Sequence, residues 1–146
     1  QSLPTQPRNE FNKAEMALRG GYIFADSEKE TPDAVIIATG SELQYAIQAK
    51  EQLVDKGVDA RVVSMPSWEL FEEQSDSYKI SVLPEEVTNR VSIEAAATFG
   101  WERYVGPKGV SIGLNSFGES APYQDLYEHF GITSDAVVDA VLKNQP

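Results

Sequence analysis

Residues 33–42, Asp33-Ala34-Val35-Ile36-Ile37-Ala38-Thr39-Gly40-Ser41-Glu42, decide the fold of this chain. The apolar run Ala34–Ile37 has no alternation, which predicts a strand covered on both faces, as in a parallel sheet. Gly40 ends this strand. Ser41, followed three residues later by Gln44, predicts a capping box at the start of a helix. A strand, a tight turn and a helix N-terminus within ten residues indicate a βαβ unit.

The rest of the chain continues this alternation of strands and helices. Glu42–Lys56 has apolar residues at helical spacing, and Gly57 is a natural stop. Three further strands are predicted at Ala60–Ser64, Arg90–Glu94 and Gly109–Gly113. Further helices are predicted at Ser67–Phe71, Gln74–Leu83, Ser120–Phe130 and after a cap at Thr133 or Ser134.

The segment before the central strand does not follow this alternation of strands and helices. Tyr22–Ala25 is β-prone, and the connection to Ala34 is too short for a parallel crossover. We therefore expect an antiparallel edge strand paired with the central strand. Together the elements predict an α/β fold, a three-layer sandwich around a mostly parallel sheet.

Composition narrows the function classes. The 146 residues suffice for one domain, and the net charge of -11 argues against nucleic acid or an anionic membrane as partner. The chain has no Cys and a single His, so thiolate chemistry and a His-rich metal site are excluded. No membrane span or signal peptide is visible, and the cytoplasm is the default location. The opening residues, which carry Pro4 and Pro7, are typical of a linker in a longer chain.

The candidate sites lie at the carboxyl ends of the predicted strands, where ligands bind in open α/β sheets. Gly40 and Ser41 could hold an anion through backbone N–H groups, or they could form an ordinary capped helix start. Glu94 is either a carboxylate with a shifted pKa at a pocket rim or a structural acceptor. His129 stands at a helix end, and no spacing around it supports a triad.

The stretch Phe117-Gly118-Glu119-Ser120-Ala121-Pro122 is the most unusual loop, and it could be a structural corner or a surface that docks onto another domain. Aromatic side chains could be core residues or interface anchors: Trp68, Trp101, Tyr104 and Phe117. By chemistry alone no catalytic constellation emerges.

Taken together, the motifs resemble the C-terminal domain of the transketolase family, in order and over nearly the whole chain. They are Arg19–Tyr22, Ile37–Glu42, Arg61–Ser67, Ser81–Pro84, Arg90–Ala95, Trp101, Tyr104–Gly106, Phe117–Pro122 and Phe130–Thr133. The resemblance implies a three-layer α/β/α sandwich with a five-stranded mixed sheet whose first strand is antiparallel to the other four. It also implies residues 1–20 as a linker from the preceding domain and residues 21–146 as the C-terminal domain.

The resemblance further implies a complete enzyme that transfers a two-carbon ketol group from a ketose phosphate to an aldose phosphate, with thiamine diphosphate and a divalent metal (Mg or Ca). In the family those groups are bound by upstream domains, so no catalytic, cofactor or metal residue is expected in this chain. The domain is then expected to pack against the thiamine-binding domains and to support a homodimer. Trp101, Phe117, Glu119 and Pro122 are the predicted docking residues.

Three alternatives remain open beside this interpretation. The first is a free-standing regulatory module that binds a phosphate or nucleotide at Thr39–Glu42, and the second is a small independent enzyme that uses Glu94 or His129. The third is the same domain from a related thiamine enzyme, such as deoxyxylulose-phosphate synthase.

Overall fold

The computed structural model describes residues 13–94, 100–113 and 132–146. Its strands are β1 (Tyr22–Ala25), β2 (Ala34–Ala38), β3 (Ala60–Ser64), β4 (Arg90–Ile93) and β5 (Val110–Ile112). Its helices are α1 (Lys13–Ala17), α2 (Leu43–Val54), α3 (Trp68–Glu72), α4 (Asp76–Val82), α5 (Glu102–Val105) and α6 (Ser134–Lys143), with a 3₁₀ turn at Gly40–Glu42 before α2.

The five strands form one mixed sheet in the order β1-β3-β2-β4-β5. The central strand β2 pairs in parallel with β3 on one side and β4 on the other, and β5 pairs in parallel with β4. Only β1 is antiparallel. Every residue of β2 is buried, because helices cover both faces of the sheet at this strand. The mixed five-stranded sheet and the α/β fold class are therefore confirmed.

Two hydrophobic cores lie on opposite faces of the sheet, as alternation along β2 requires. Ile36 packs on one face with Leu53 of α2 and Val137 of α6. Val35 and Ile37 pack on the other face, with side chains from α3, α4 and α5. The helices of the two cores therefore form the outer layers of the sandwich.

The predicted partner of the edge strand is wrong. β1 is an antiparallel edge strand, but it pairs with β3 rather than with the central strand β2. The connection between β1 and β2 passes the start of β3, where the carboxylate of Asp59 accepts the N–H groups of Glu28 (2.9 Å) and Lys29 (2.7 Å). Arg61 on β3 holds Asp26 by an ion pair of 2.7 Å. Both edges of β2 pair with other strands, β3 and β4, so neither edge is available to β1.

The predicted capping box at Ser41 is also wrong. The Ser41 hydroxyl donates to the carboxylate of Glu42, and the Gln44 side chain donates to the Ser41 carbonyl at 3.1 Å. The chain instead enters α2 through the 3₁₀ turn, whose N-terminal residue Thr39 makes no side-chain cap.

Other predicted helix ends are confirmed. Ser67 caps α3 by accepting the N–H of Leu70, and Thr133 caps α6 by accepting the N–H of Ala136. Gly57, with φ of 75°, follows the end of α2. The helix predicted at Ser120–Phe130 lies outside the described residues. The short helix α1 falls within residues 1–20, so the linker assignment stays a prediction.

Candidate functional site

The candidate site lies where β2 and β4 end side by side. The chain leaves β2 for β3 on one side of the sheet, whereas β4 lies on the other side, so this is the point at which the strand order reverses. Ligands of open α/β sheets bind in the crevice beyond such a point. Thr39 and Gly40 follow β2 there, and Glu94 follows β4. The site predicted from the sequence is therefore brought together at one edge of the sheet.

Glu94 is half-buried and held by side chains from two other segments. The indole N–H of Trp101 and the hydroxyl of Thr39 donate hydrogen bonds to its carboxylate. Burial raises the pKa of Glu94, and the neighbouring carboxylate of Glu42 raises it further, while the two hydrogen bonds act in the opposite direction. Glu94 is therefore a carboxylate that accepts hydrogen bonds from neighbouring side chains, as the structural interpretation predicts. Its pKa is also shifted, as the other interpretation predicts.

The turn at Gly40 is electrostatically unsuited to an anion. Gly40 has φ of 55°, and a side chain there would meet no atom within 4 Å, so glycine is required for the backbone rather than for space. Glu42, only 5% exposed, and Glu94 place two carboxylates beside it. The anion site at Gly40 and Ser41 stays a prediction, and this local charge opposes it.

The described part of the chain contains no cluster of three candidate metal-ligating side chains. In residues 13–94, 100–113 and 132–146, no three His, Cys, Asp or Glu side chains gather into a set that could hold a metal ion. We therefore assign no metal-binding role to any described residue.

Trp101 is an interior residue rather than an exposed docking residue. It is 2% exposed and packs edge-on against Trp68, with ring centroids 4.9 Å apart, and against Tyr104 at 6.0 Å. Phe71 extends the same cluster through Tyr104 at 5.8 Å. The prediction that Trp101 lies on a docking face is wrong for its side chain, because the ring fills the core between the sheet and α3.

The other predicted docking residues cannot be placed. Phe117, Glu119 and Pro122 lie outside the described residues, as does His129. Their roles stay predictions.

Sequence reasoning missed two arginines that organise the loops at the opposite edge of the sheet. Arg90 donates to the carbonyls of Val87 (2.9 Å), Tyr104 (2.8 Å) and Pro84 (2.7 Å). Arg61, which is buried, donates to the Ser81 carbonyl at 2.9 Å. A charged residue inside a short apolar strand was the available signal, since such a residue needs partners when it is buried.

Among the described residues, no helix combines the length and apolar character needed to cross a membrane.

Comparison with known proteins gives one consistent family. Residues 20–133 match the family described as transketolase-like TK C-terminal domain. Transketolase-1, chloroplastic, from Arabidopsis thaliana is 56% identical over 141 residues, which are 96% of this chain and 19% of the relative. The chain thus spans about a fifth of the length of the curated relatives that it matches first.

Solved structures agree with this result. Transketolase from Leishmania mexicana superposes with a TM-score of 0.81 at 40% identity, covering 88% of this chain and 18% of that protein. A structure described as a split gene transketolase, inactive beta4 tetramer, has a TM-score of 0.67 at 26% identity and covers 97% of this chain and 46% of its own.

Proposed function

The chain belongs to the transketolase-like C-terminal domain family, and from that premise we propose that it is the C-terminal domain of a transketolase. The complete protein would transfer a two-carbon ketol group from a ketose phosphate to an aldose phosphate in the pentose phosphate pathway. The observation that carries this proposal is the family match over residues 20–133, supported by 56% identity to a transketolase.

The domain itself has a structural role in this proposal. Residues 21–146 form the domain, residues 1–20 link it to the preceding one, and the loop with Phe117, Glu119 and Pro122 contributes to docking. The partners are the upstream thiamine-binding domains and, through them, the second subunit of a homodimer. Support comes from the candidate site, where the side chains of Thr39 and Trp101 both donate hydrogen bonds to the carboxylate of Glu94.

Thiamine diphosphate and a divalent metal (Mg or Ca) would be bound outside this chain. When bound, thiamine diphosphate supplies the carbanion stabilisation that ketol transfer needs. No three candidate metal ligands gather among the described residues, and no step of the reaction is assigned to them. The isolated chain is then inactive, in keeping with the split-gene structure, which is described as an inactive tetramer.

Two points of the sequence interpretation stay predictions. The cytoplasmic location is one, and the Arabidopsis relative carries the word chloroplastic in its name. The assignment to transketolase rather than to deoxyxylulose-phosphate synthase is favoured because the matched relatives and solved structures are named transketolases.

A chimeric enzyme tests the proposal. The matching segment of the Arabidopsis relative is replaced by this chain, and ketol transfer from a ketose phosphate to an aldose phosphate is measured with thiamine diphosphate and Mg²⁺. We expect the chimera to be a dimer with measurable ketol transfer, and the relative without this segment to lose both properties.

The isolated 146-residue chain is the second arm of the experiment, and we expect no turnover from it. Turnover by the isolated chain would contradict the structural role. A folded, dimeric chimera that fails to transfer the ketol group would contradict the family assignment of function.

A further inference from the structure

A pocket of about 250 Å³ lies at the edge of the sheet opposite the candidate site, where β4 and β5 begin. It opens between the turn that leads into β4 and the loop that joins α5 to β5. Val87 and Val105, both buried, form apolar walls, and Gly106 and Pro107 complete one side. No part of the proposed function uses this pocket.

Two cations, Arg90 and Lys108, and one carboxylate, Glu85, line the pocket. The ion pairs among the described residues involve Lys29, Arg61, Lys79 and Lys143, but neither Arg90 nor Lys108. This is unexpected in a chain with 23 acidic and 12 basic residues, where a cation readily finds an acidic partner. With two cations and one carboxylate in its lining, the pocket carries an excess of positive charge on an acidic protein.

Arg90 is the better placed of the two cations. Its guanidinium is half-buried, and the hydrogen bonds to Val87, Tyr104, Leu83 and Pro84 use four of the roughly five N–H groups that an arginine carries. All four acceptors are neutral carbonyls. Burial lowers the pKa of Arg90, and the charge of Glu85 on the rim only partly opposes this effect. An added anion would favour the charged guanidinium.

The lining defines the class of ligand. The volume is smaller than that of a typical drug-sized site, and the walls are mainly apolar. The polar groups of the lining are two cations, Arg90 and Lys108, together with Glu85 and the hydroxyl of Thr88. We propose that this pocket binds a small carboxylate with an apolar tail, the carboxylate at Lys108 and Arg90 and the tail between Val87 and Val105. The one N–H of Arg90 that no carbonyl accepts and the ammonium group of Lys108 can each donate a charge-assisted hydrogen bond to a carboxylate.

The test is a titration of the full 146-residue chain with straight-chain carboxylates from butyrate to octanoate, followed by ¹⁵N–¹H NMR. We expect saturable shifts confined to residues 85–90 and 105–108. Affinity should rise about fourfold for each methylene buried, until the pocket is full. Hexanamide and hexylamine, matched in size to hexanoate, should bind much more weakly because they lack the negative charge.

Two lysine variants test whether the positive charge of Lys108 contributes to binding of the carboxylate. Lys108→Ala should weaken hexanoate binding about two- to fivefold, as expected for loss of an exposed ion pair. Lys143→Ala, at another exposed lysine on α6, should leave the affinity for hexanoate unchanged. Arg90 is left intact because it also holds the surrounding loops. The proposal is overturned if hexanamide binds as well as hexanoate, if the two lysine variants behave alike, or if no saturable shift maps to the pocket.

Discussion

Replacing Trp101 with alanine should lower the free energy of unfolding by about 3–5 kcal/mol, the usual cost of truncating a buried aromatic side chain. The side chain is 2% exposed, and it contacts Trp68, Tyr104 and the carboxylate of Glu94. Its truncation therefore leaves a buried cavity that solvent does not readily fill. For a chain of 146 residues this loss corresponds to a melting temperature roughly 10–15 °C lower.

A second substitution divides this loss into packing and hydrogen bonding. Trp101→Phe keeps an aromatic ring beside Trp68 but removes the indole N–H that Glu94 accepts. We expect this variant to lose about 1–3 kcal/mol, because a carboxylate that was hydrogen-bonded is left with one donor fewer. Trp101→Phe should therefore lie between the wild type and Trp101→Ala.

Urea unfolding followed by circular dichroism is the appropriate assay, since tryptophan fluorescence changes with the substitution itself. Leu18→Ala is the control, because Leu18 is 71% exposed and should change stability by less than about 0.5 kcal/mol. If Trp101→Ala lost less than about 1 kcal/mol while domain association failed, the docking interpretation would be right and the core assignment wrong.

Two further predictions concern backbone geometry and pH. Gly20→Ala should destabilise the chain by several times the roughly 1 kcal/mol expected for Gly57→Ala. Both glycines have positive φ, but only at Gly20 would a Cβ lie 2.3 Å from the Phe71 nitrogen and the Ser67 oxygen. Equal urea midpoints for the two variants would contradict this prediction. Glu94→Gln should gain stability relative to the wild type as pH rises from 4 to 7. The pKa of Glu94 is raised in the folded state, so ionisation of Glu94 destabilises the wild type above the ordinary glutamate pKa of 4.5, and this cost is absent below it. Urea midpoints of the two proteins that change in parallel over this range would count against the prediction.

Much of the architecture follows from local sequence pattern. The unbroken apolar run at Ala34–Ala38 and the strand Ala60–Ser64 were predictable because a strand buried on both faces needs apolar residues at nearly every position. The caps at Ser67 and Thr133 and the stop at Gly57 were predictable for a similar reason, since each depends on groups within a few residues of the helix end.

The candidate site was only partly predictable. Thr39, Gly40 and Glu94 could be assigned to one edge of the sheet, because parallel strands end on the same side. That Trp101 donates to Glu94, and that Glu42 adds its charge nearby, could not be foreseen, because these residues are far apart in sequence. The charge of Arg90 in an apolar strand indicated that it needs partners, but the sequence did not identify the carbonyls it contacts or the pocket beside it, for the same reason.

The sequence by itself determined the class of fold, the order of its elements and the family, since these depend on periodicity and on motifs read along the chain. Only the tertiary structure decided that β1 pairs with β3, that Ser41 does not cap α2 and that Trp101 lies in the core. Strand pairing, side-chain partners and burial depend on competition among groups from distant segments. The local sequence does not indicate which of these groups lies nearest in the folded chain.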